Sequence, residues 1–520
     1  MLRNLAPVAA VAAVVAVTGC GTTVSETQVR SANGLGGPGN GLTASSGPSA
    51  PGAVSGNVAQ GTGTQGTGGS SSLSGTGTST GAGTAVGSGS QRPGGTALTA
   101  TTITIGMGYV SNGNAANAAI GAAGISQGDA KGEGQAVINY INKNGGIAGR
   151  KIVPVWQAYD ATSTGSTASQ DEAACANYTQ DHHVFAVADS GLTDTLPACL
   201  LKAGVFMANS GDIISHDNGF FRQYPNYVDV GTLSEDRFMA EEVQALQREK
   251  WYSPWSTATG QAAPTGTAKV GVLTINHPYW NRSVNKVLLP ALAKSGHPVA
   301  SSDIYRVTYP QTTTDEARTV SDIQGAVLHF RSDGVTHVIF TDPSGVLTLI
   351  FSRNAGSQHY YPRYGVSSGS GMQALVTAGD VDPTTLRGAI GLGWAPSLDL
   401  QPSAASHYTT PATAKCLQVM KQGGFTFPDV NSEGIALSIC DQLFFLADVL
   451  DRAAPNFTLN GELNAVAGIG STFHAAADPL SFVSATRHDA LQEGWDMEWN
   501  TSCNCARYIG NGYQIPDVND

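Results

Sequence analysis

Charge is scarce in this chain: Asp, Glu, Lys and Arg make up 13% of its 520 residues, about half the usual share. The formal net charge of -12 is spread without long acidic or basic runs. No basic patch is visible to neutralise phosphates, which argues against nucleic-acid binding. HExxH and P-loop sequences are absent, and the Gly132/Gly134 pair lacks the dinucleotide fingerprint, so no metal, nucleotide or other cofactor is expected. With so few charges, surface polarity must come largely from Ser, Thr, Asn and Gln.

What the N-terminus does have is an export pattern. Arg3 precedes an apolar run over residues 5–17, too short to span a membrane as a mature helix, and Val17-Thr18-Gly19-Cys20 follows. This is the order of a signal peptide, and the small residues before Cys20 resemble the lipobox of bacterial lipoproteins, in which cleavage leaves a lipidated cysteine. Residues 1–20 are therefore expected to be a lipoprotein signal peptide. Residues 21–99 are Gly, Ser, Thr and Ala with almost no large apolar side chain, a composition that cannot offset its own ordering entropy. A disordered tether is expected, with an end-to-end distance on the order of 50 Å.

Six cysteines remain beside Cys20, and an even number in an exported chain reads as disulfides. Cys175 and Cys199 have the same separation as Cys416 and Cys440, and Cys503 and Cys505 form a CxC. Pairing between neighbours is expected, although other connectivities are open; half a metal site at the CxC lacks nearby His partners.

The length exceeds what one core of roughly 250 to 300 residues serves, so two lobes are expected. Residues 135–143 carry Val137, Ile138 and Ile141 at helical spacing, and Asn144-Gly145-Gly146 stops them. Strand-like runs at 103–109 and 150–156 flank that helix and make a βαβ opening to a parallel α/β sheet. Further strands are expected at 184–188 and 205–208, a helix at 233–246, and a Ser, Thr and Pro-rich insertion at 253–267. A second α/β pattern follows: strands at 269–275, 303–308 and 335–340, helices at 280–295 and 316–330, and a returning strand at 388–394. Helices are expected at 407–423 and 433–453, and a final strand opens the tail at 495–513.

The segment Ile141-Asn142-Lys143-Asn144-Gly145-Gly146-Ile147-Ala148-Gly149-Arg150-Lys151-Ile152 resembles the type I periplasmic binding proteins of ABC importers, in their branched-chain amino-acid receptor branch. Residues 269–280 and 388–396 resemble the family's second-lobe strand with its aromatic loop and its returning hinge segment. The resemblance covers residues 101–510. It implies a first lobe at about 101–230 and 394–470 and a second at about 231–393 and 471–515, with a small polar ligand, amino acid or amide-like, enclosed between them. It implies no catalytic residues, a membrane permease as partner, a lipid anchor and a monomer. Matching loops nominate Ser190, Gly191, Thr193, Asn209, Ser210 and Gly211 from the first lobe, and Tyr279, Trp280, Asp342, Ser344 and Ser367 from the second.

Two departures bear on the ligand. Relatives that bind α-amino acids carry a carboxylate where this chain has residues 365–369, which hold serine instead. Asp189 also stands where it would repel an incoming carboxylate unless it points away or caps a helix. Either Asp342 substitutes, or the ligand is a sugar, polyol or other neutral metabolite. A sensing or surface interaction protein of the same fold is the alternative function. A serine hydrolase is a weaker one: Gly124-Ile125-Ser126-Gln127-Gly128 matches G-x-S-x-G, but a nucleophile elbow needs a strand just before it. His182-His183 has no spaced carboxylate partner and reads as a surface turn.

Overall fold

The computed structural model describes residues 97–211 and 216–518. The expected signal peptide, Cys20 and all but the last residues of the expected tether lie outside them.

The helix Ala130–Lys143 shows how local chemistry sets the opening unit. Asp129 accepts a hydrogen bond from Gly132 N at 3.0 Å, which satisfies an end that would otherwise be open. Val137, Ile138 and Ile141 face the core. Gly145 and Gly146 then turn at φ of 112° and 72°, and a Cβ on Gly146 would lie 2.0 Å from the Arg150 carbonyl. Only glycine fits that turn.

This unit belongs to a parallel sheet of β1 (Thr102–Ser111), β2 (Lys151–Asp160), β3 (Ala186–Ala188), β4 (Phe206–Asn209) and β5 (Tyr227–Asp229), ordered β2-β1-β3-β4-β5. Helices cover both faces. Ile103, Ile105 and Met107 pack against the helices Ala130–Lys143, Pro411–Gln422 and Val430–Ala453, and Val187 and Met207 pack toward Thr195–Lys202 and Asn218–Gln223.

The helix Glu235–Arg248 carries the chain to the second lobe, where Met239, Val243 and Leu246 join a separate core. The insertion forms a small hairpin of β6 (Trp255–Ser256) and β7 (Gln261–Ala262). The second sheet contains β8 (Val270–Asn276), β9 (Ile304–Thr308), β10 (His337–Phe340), β11 (Arg363–Ser367), β12 (Ile390–Gly393), β13 (Glu493–Asn500) and β14 (Cys505–Gln514). Its order is β14-β13-β12-β11-β10-β8-β9. The tail differs from the expected single strand. It is an antiparallel hairpin, because residues 501–504 turn the chain back and Trp495, Met497 and Trp499 fill one buried face. The helix expected at 280–295 is interrupted by a π turn at Val284–Leu288.

The chain passes between lobes three times, at 230–234, 394–400 and 476–492. Arg237, just after the first passage, ties it to the third: its guanidinium donates to the Asp489 carboxylate at 2.9 Å and to the Ile515 carbonyl at 3.0 Å. Disulfides join Cys175 to Cys199, Cys416 to Cys440 and Cys503 to Cys505. Each of the first two closes a 24-residue separation and is worth about 3 kcal/mol on the chain-entropy account.

Candidate ligand-binding cleft

The carboxyl ends of both parallel sheets converge on one cleft of about 350 Å³. Open α/β sheets place their loops, and so their ligands, at that edge.

On the first-lobe wall, the loop after β3 opens with Asp189, almost fully buried. Its carboxylate accepts from Tyr159 OH at 2.9 Å, Tyr178 OH at 2.7 Å and Gly191 N at 2.9 Å. Burial raises its pKa, against the pull of these donors. Gly108 on β1 makes the room, since a Cβ there would lie 2.2 Å from the Asp189 carboxyl. After β4, Asn209 donates to Asp229 Oδ2 at 2.7 Å and Tyr227 OH at 3.0 Å, while Gly211 N donates to Asp229 Oδ1 at 3.2 Å. The glycine N–H groups of both loops, Gly191 and Gly211, are therefore committed to carboxylates of the protein itself. Ser210 differs: its hydroxyl is buried against Gly231 and has no hydrogen-bond partner.

On the second-lobe wall, Asp342 caps the helix Val346–Ser357, accepting from Ser344 N at 3.1 Å and Thr348 N at 2.8 Å. Burial pushes its pKa up to about 6. The Ser367 side chain, buried at the end of β11, is engaged in a reciprocal cap with Ser370: it accepts from the Ser370 N–H, and Ser370 Oγ accepts from Ser367 N at 3.1 Å. Ser368 beside it donates to Asp399 Oδ2 at 2.6 Å and accepts from Trp394 N at 2.8 Å, which locks the second passage to this wall.

The floor comes from the third passage. Asp441, on the long helix Val430–Ala453, accepts from Ala476 N and from Ala477 N at 2.9 Å. That clasp sets the next residue, Asp478, into the cleft, where it is 2% exposed and its Oδ2 has no partner. Burial, then the neighbouring carboxyls of Asp441, Asp229 and Asp399, push its pKa well above the carboxylate range. Behind it lies a second cavity of about 370 Å³, which shares Ala477 and Asp478 with the first. No Lys, Arg or His stands among the described residues lining either cavity.

The lobes meet on both flanks. Tyr279 OH donates to Asp194 Oδ2 at 3.0 Å, Tyr309 OH to the Leu192 carbonyl at 3.2 Å, and Arg353 to the Gly121 carbonyl at 3.0 Å. Arg282 pairs with Asp217 on the same side as Tyr279.

Of the residues nominated from sequence, Ser190, Asn209, Ser210, Gly211, Asp342, Ser344 and Ser367 line the cleft. The other four do not. Gly191 N is held by Asp189, and both N and Oγ1 of Thr193 donate to Asp171. Tyr279 lies in an aromatic cluster with His216 and Phe220, and Trp280 is fully buried in the second core. An aromatic loop was the wrong signal there, because packing claimed both rings. Ser126 is no nucleophile elbow: the helix Gly113–Ala119 and a loop precede it, and its N–H and carbonyl bond to Asp429 and Asn431. Asp478, Trp394 and Gln442 also line the cleft and went unread in the sequence; an isolated Asp before Pro479 was the one available cue for Asp478.

No protein-family model matches the chain, and no curated protein does. Solved structures do. The chain is similar to an ABC-transporter solute binding protein from R. palustris in complex with 4-hydroxybenzoate, at 12% identity and a TM-score of 0.56, over 80% of this chain and 98% of that one. It is similar to the branched-chain amino acid transporter substrate binding protein of Streptococcus pneumoniae in complex with isoleucine, at 16% identity and a TM-score of 0.52, over 79% and 99%. A fatty acid ABC transporter substrate-binding protein from Thermomonospora curvata matches at 15% identity and a TM-score of 0.52, over 81% and 96%. These likenesses show the two-lobed α/β fold of type I periplasmic binding proteins.

Proposed function

We propose that this protein is an extracytoplasmic solute-binding lipoprotein, held to the membrane through Cys20 and a long tether, that captures a small polar solute between its lobes for an ABC permease. One observation carries the reading. The two sheets aim their carboxyl ends at a single cleft, bridged by three chain passages, in which two buried polar atoms, Ser210 Oγ on a wall and Asp478 Oδ2 on the floor, both lack partners. Unpaired buried polar groups cost about 1–3 kcal/mol each, and a solute between the walls would satisfy both at once. The solute must bind the closed arrangement better than the open one, because only differential affinity moves that equilibrium. The cleft volume suits a metabolite of modest size.

The test is thermal unfolding of the purified protein against a broad solute set: amino acids, amides, amines, sugars, polyols and aromatic acids at millimolar concentration. At least one chemical class should raise Tm in proportion to its saturation. Should no solute move Tm, the binding reading fails. Anchoring is checked separately: Cys20→Ala should move the protein from the membrane fraction to the soluble one.

A further inference from the structure

We infer that the solute carries an ammonium, amidinium or guanidinium group and no carboxylate, with its cationic group seated on Asp478 and bonded to the Ser210 hydroxyl. The inference rests on the solute-binding reading and names the class of ligand.

A carboxylate in a closed cleft is held best by a cation, and the cleft supplies none. No cationic side chain lines the cleft among the described residues. Of the loop N–H groups that could clamp an anion, Gly191 N already donates to Asp189 and Gly211 N to Asp229. A ligand carboxylate would also face the Asp342 carboxyl, whose pKa of about 6 leaves it largely ionised at neutral pH, across a water-poor space where like charges repel strongly.

The opposite charge has a place prepared. Asp478 is 2% exposed, its Oδ2 has no partner, and its nearest charged influences are three more carboxyls, Asp441, Asp229 and Asp399. A buried carboxyl without a counter-ion is costly. A further orphan in the cleft, Ser210 Oγ, can accept from a ligand N–H. Asp342 is occupied in capping its helix and Asp189 in holding two tyrosines, so neither competes for the cation. Leu192, Leu233, Phe238, Leu398 and Ile435 supply apolar walls for the remainder of the solute.

Matched pairs that differ only in the carboxylate test this on the full purified protein by calorimetry and thermal unfolding: leucine and 3-methylbutylamine, tyrosine and tyramine, arginine and agmatine, ornithine and putrescine. 4-Methylpentanoate and 4-hydroxybenzoate serve as carboxylates, glucose and acetamide as neutral probes. At least one amine should bind tighter than its parent amino acid by about tenfold or more. If a parent amino acid or a carboxylate binds as tightly as the amine, the inference is overturned and solute binding stands. Binding by a neutral probe alone has the same meaning, whereas silence across the whole set overturns both. Asp478→Asn should cut amine affinity by about tenfold or more with its unfolding still cooperative; retained affinity would remove Asp478 from the site. If that variant does not fold, Ser210→Ala reads the same seat, and unchanged amine affinity in it counts against the placement.

Discussion

Two carboxyls line the same cleft at the same degree of burial, Asp189 on the first-lobe wall and Asp478 on the floor of the third passage. The wall was built around its acid: two tyrosine hydroxyls and a glycine N–H converge on Asp189, and Gly108 gives up its side chain to admit it. The floor leaves its acid unanswered, with an oxygen that meets no donor and with further acids nearby. The lesson is that burial alone does not distinguish a structural carboxylate from a receptive one. The donor set does: a completed set fixes architecture, and an incomplete one in a cleft marks where another molecule completes it.

The contrast can be broken most forcefully at Asp189. Asp189→Ala strands three buried donors and should cost about 4 kcal/mol in urea unfolding; a loss below about 1 kcal/mol would mean the wall does not depend on it. Asp478→Asn should act in the reverse direction. The folded-state pKa is raised above the unfolded value of 3.8, so the native state keeps a proton that the unfolded chain releases. Its contribution to stability is full below that unfolded value and is lost as pH rises toward the folded one. The variant should therefore be more stable than the parent at pH 8 and nearly equal to it at pH 4. Thermal melts at both pH values decide this; equal differences at the two would show that Asp478 is not titrating in the expected direction. The smallest effect is expected on the flank. Arg282→Gln removes the pair with Asp217, in which the arginine is partly exposed, so stability should fall by only about 0.5 kcal/mol. Solute affinity should weaken several-fold more than in a distant surface variant such as Lys202→Gln, because the flank bond belongs to the closed arrangement. Equal affinities would detach this flank from closure.

Much of this arrangement was legible in the sequence because it is local. The βαβ opening, the two α/β lobes and the polar loops after β3 and β4 follow from apolar spacing and from turn residues such as Gly145, Gly191 and Gly211, all three at positive φ. The even cysteine separations gave the right neighbours. What stayed hidden is non-local. Asp478 enters the cleft because Asp441, in a helix some distance back along the chain, clasps Ala476 and Ala477. The stretch around it has no periodicity to read. Tyr279 and Trp280 were misplaced for the complementary reason: a loop aromatic reads the same whether it faces a ligand or fills a core, and here the cores of both lobes took them. The occupied N–H of Gly211 could not be foreseen either, since it depends on Asp229, brought in by the neighbouring strand end, whereas that of Gly191 is taken by Asp189 of its own turn.

The guanidinium of Arg237 binds the third passage at Asp489 and the chain end at Ile515 from a helix that begins just after the first passage. The first and third passages, riveted in this way, share one pivot, and points beside a pivot travel least when a door swings. On the proposed reading, Asp478, carried by a passage, keeps its post in the open protein while Ser210 draws away with its lobe. A solute arriving from outside would then make its first contact with the acid and receive the hydroxyl only as the gap shuts. That order makes arrival a matter of charge and retention a matter of fit, so salt in the medium should slow capture more than it hastens escape.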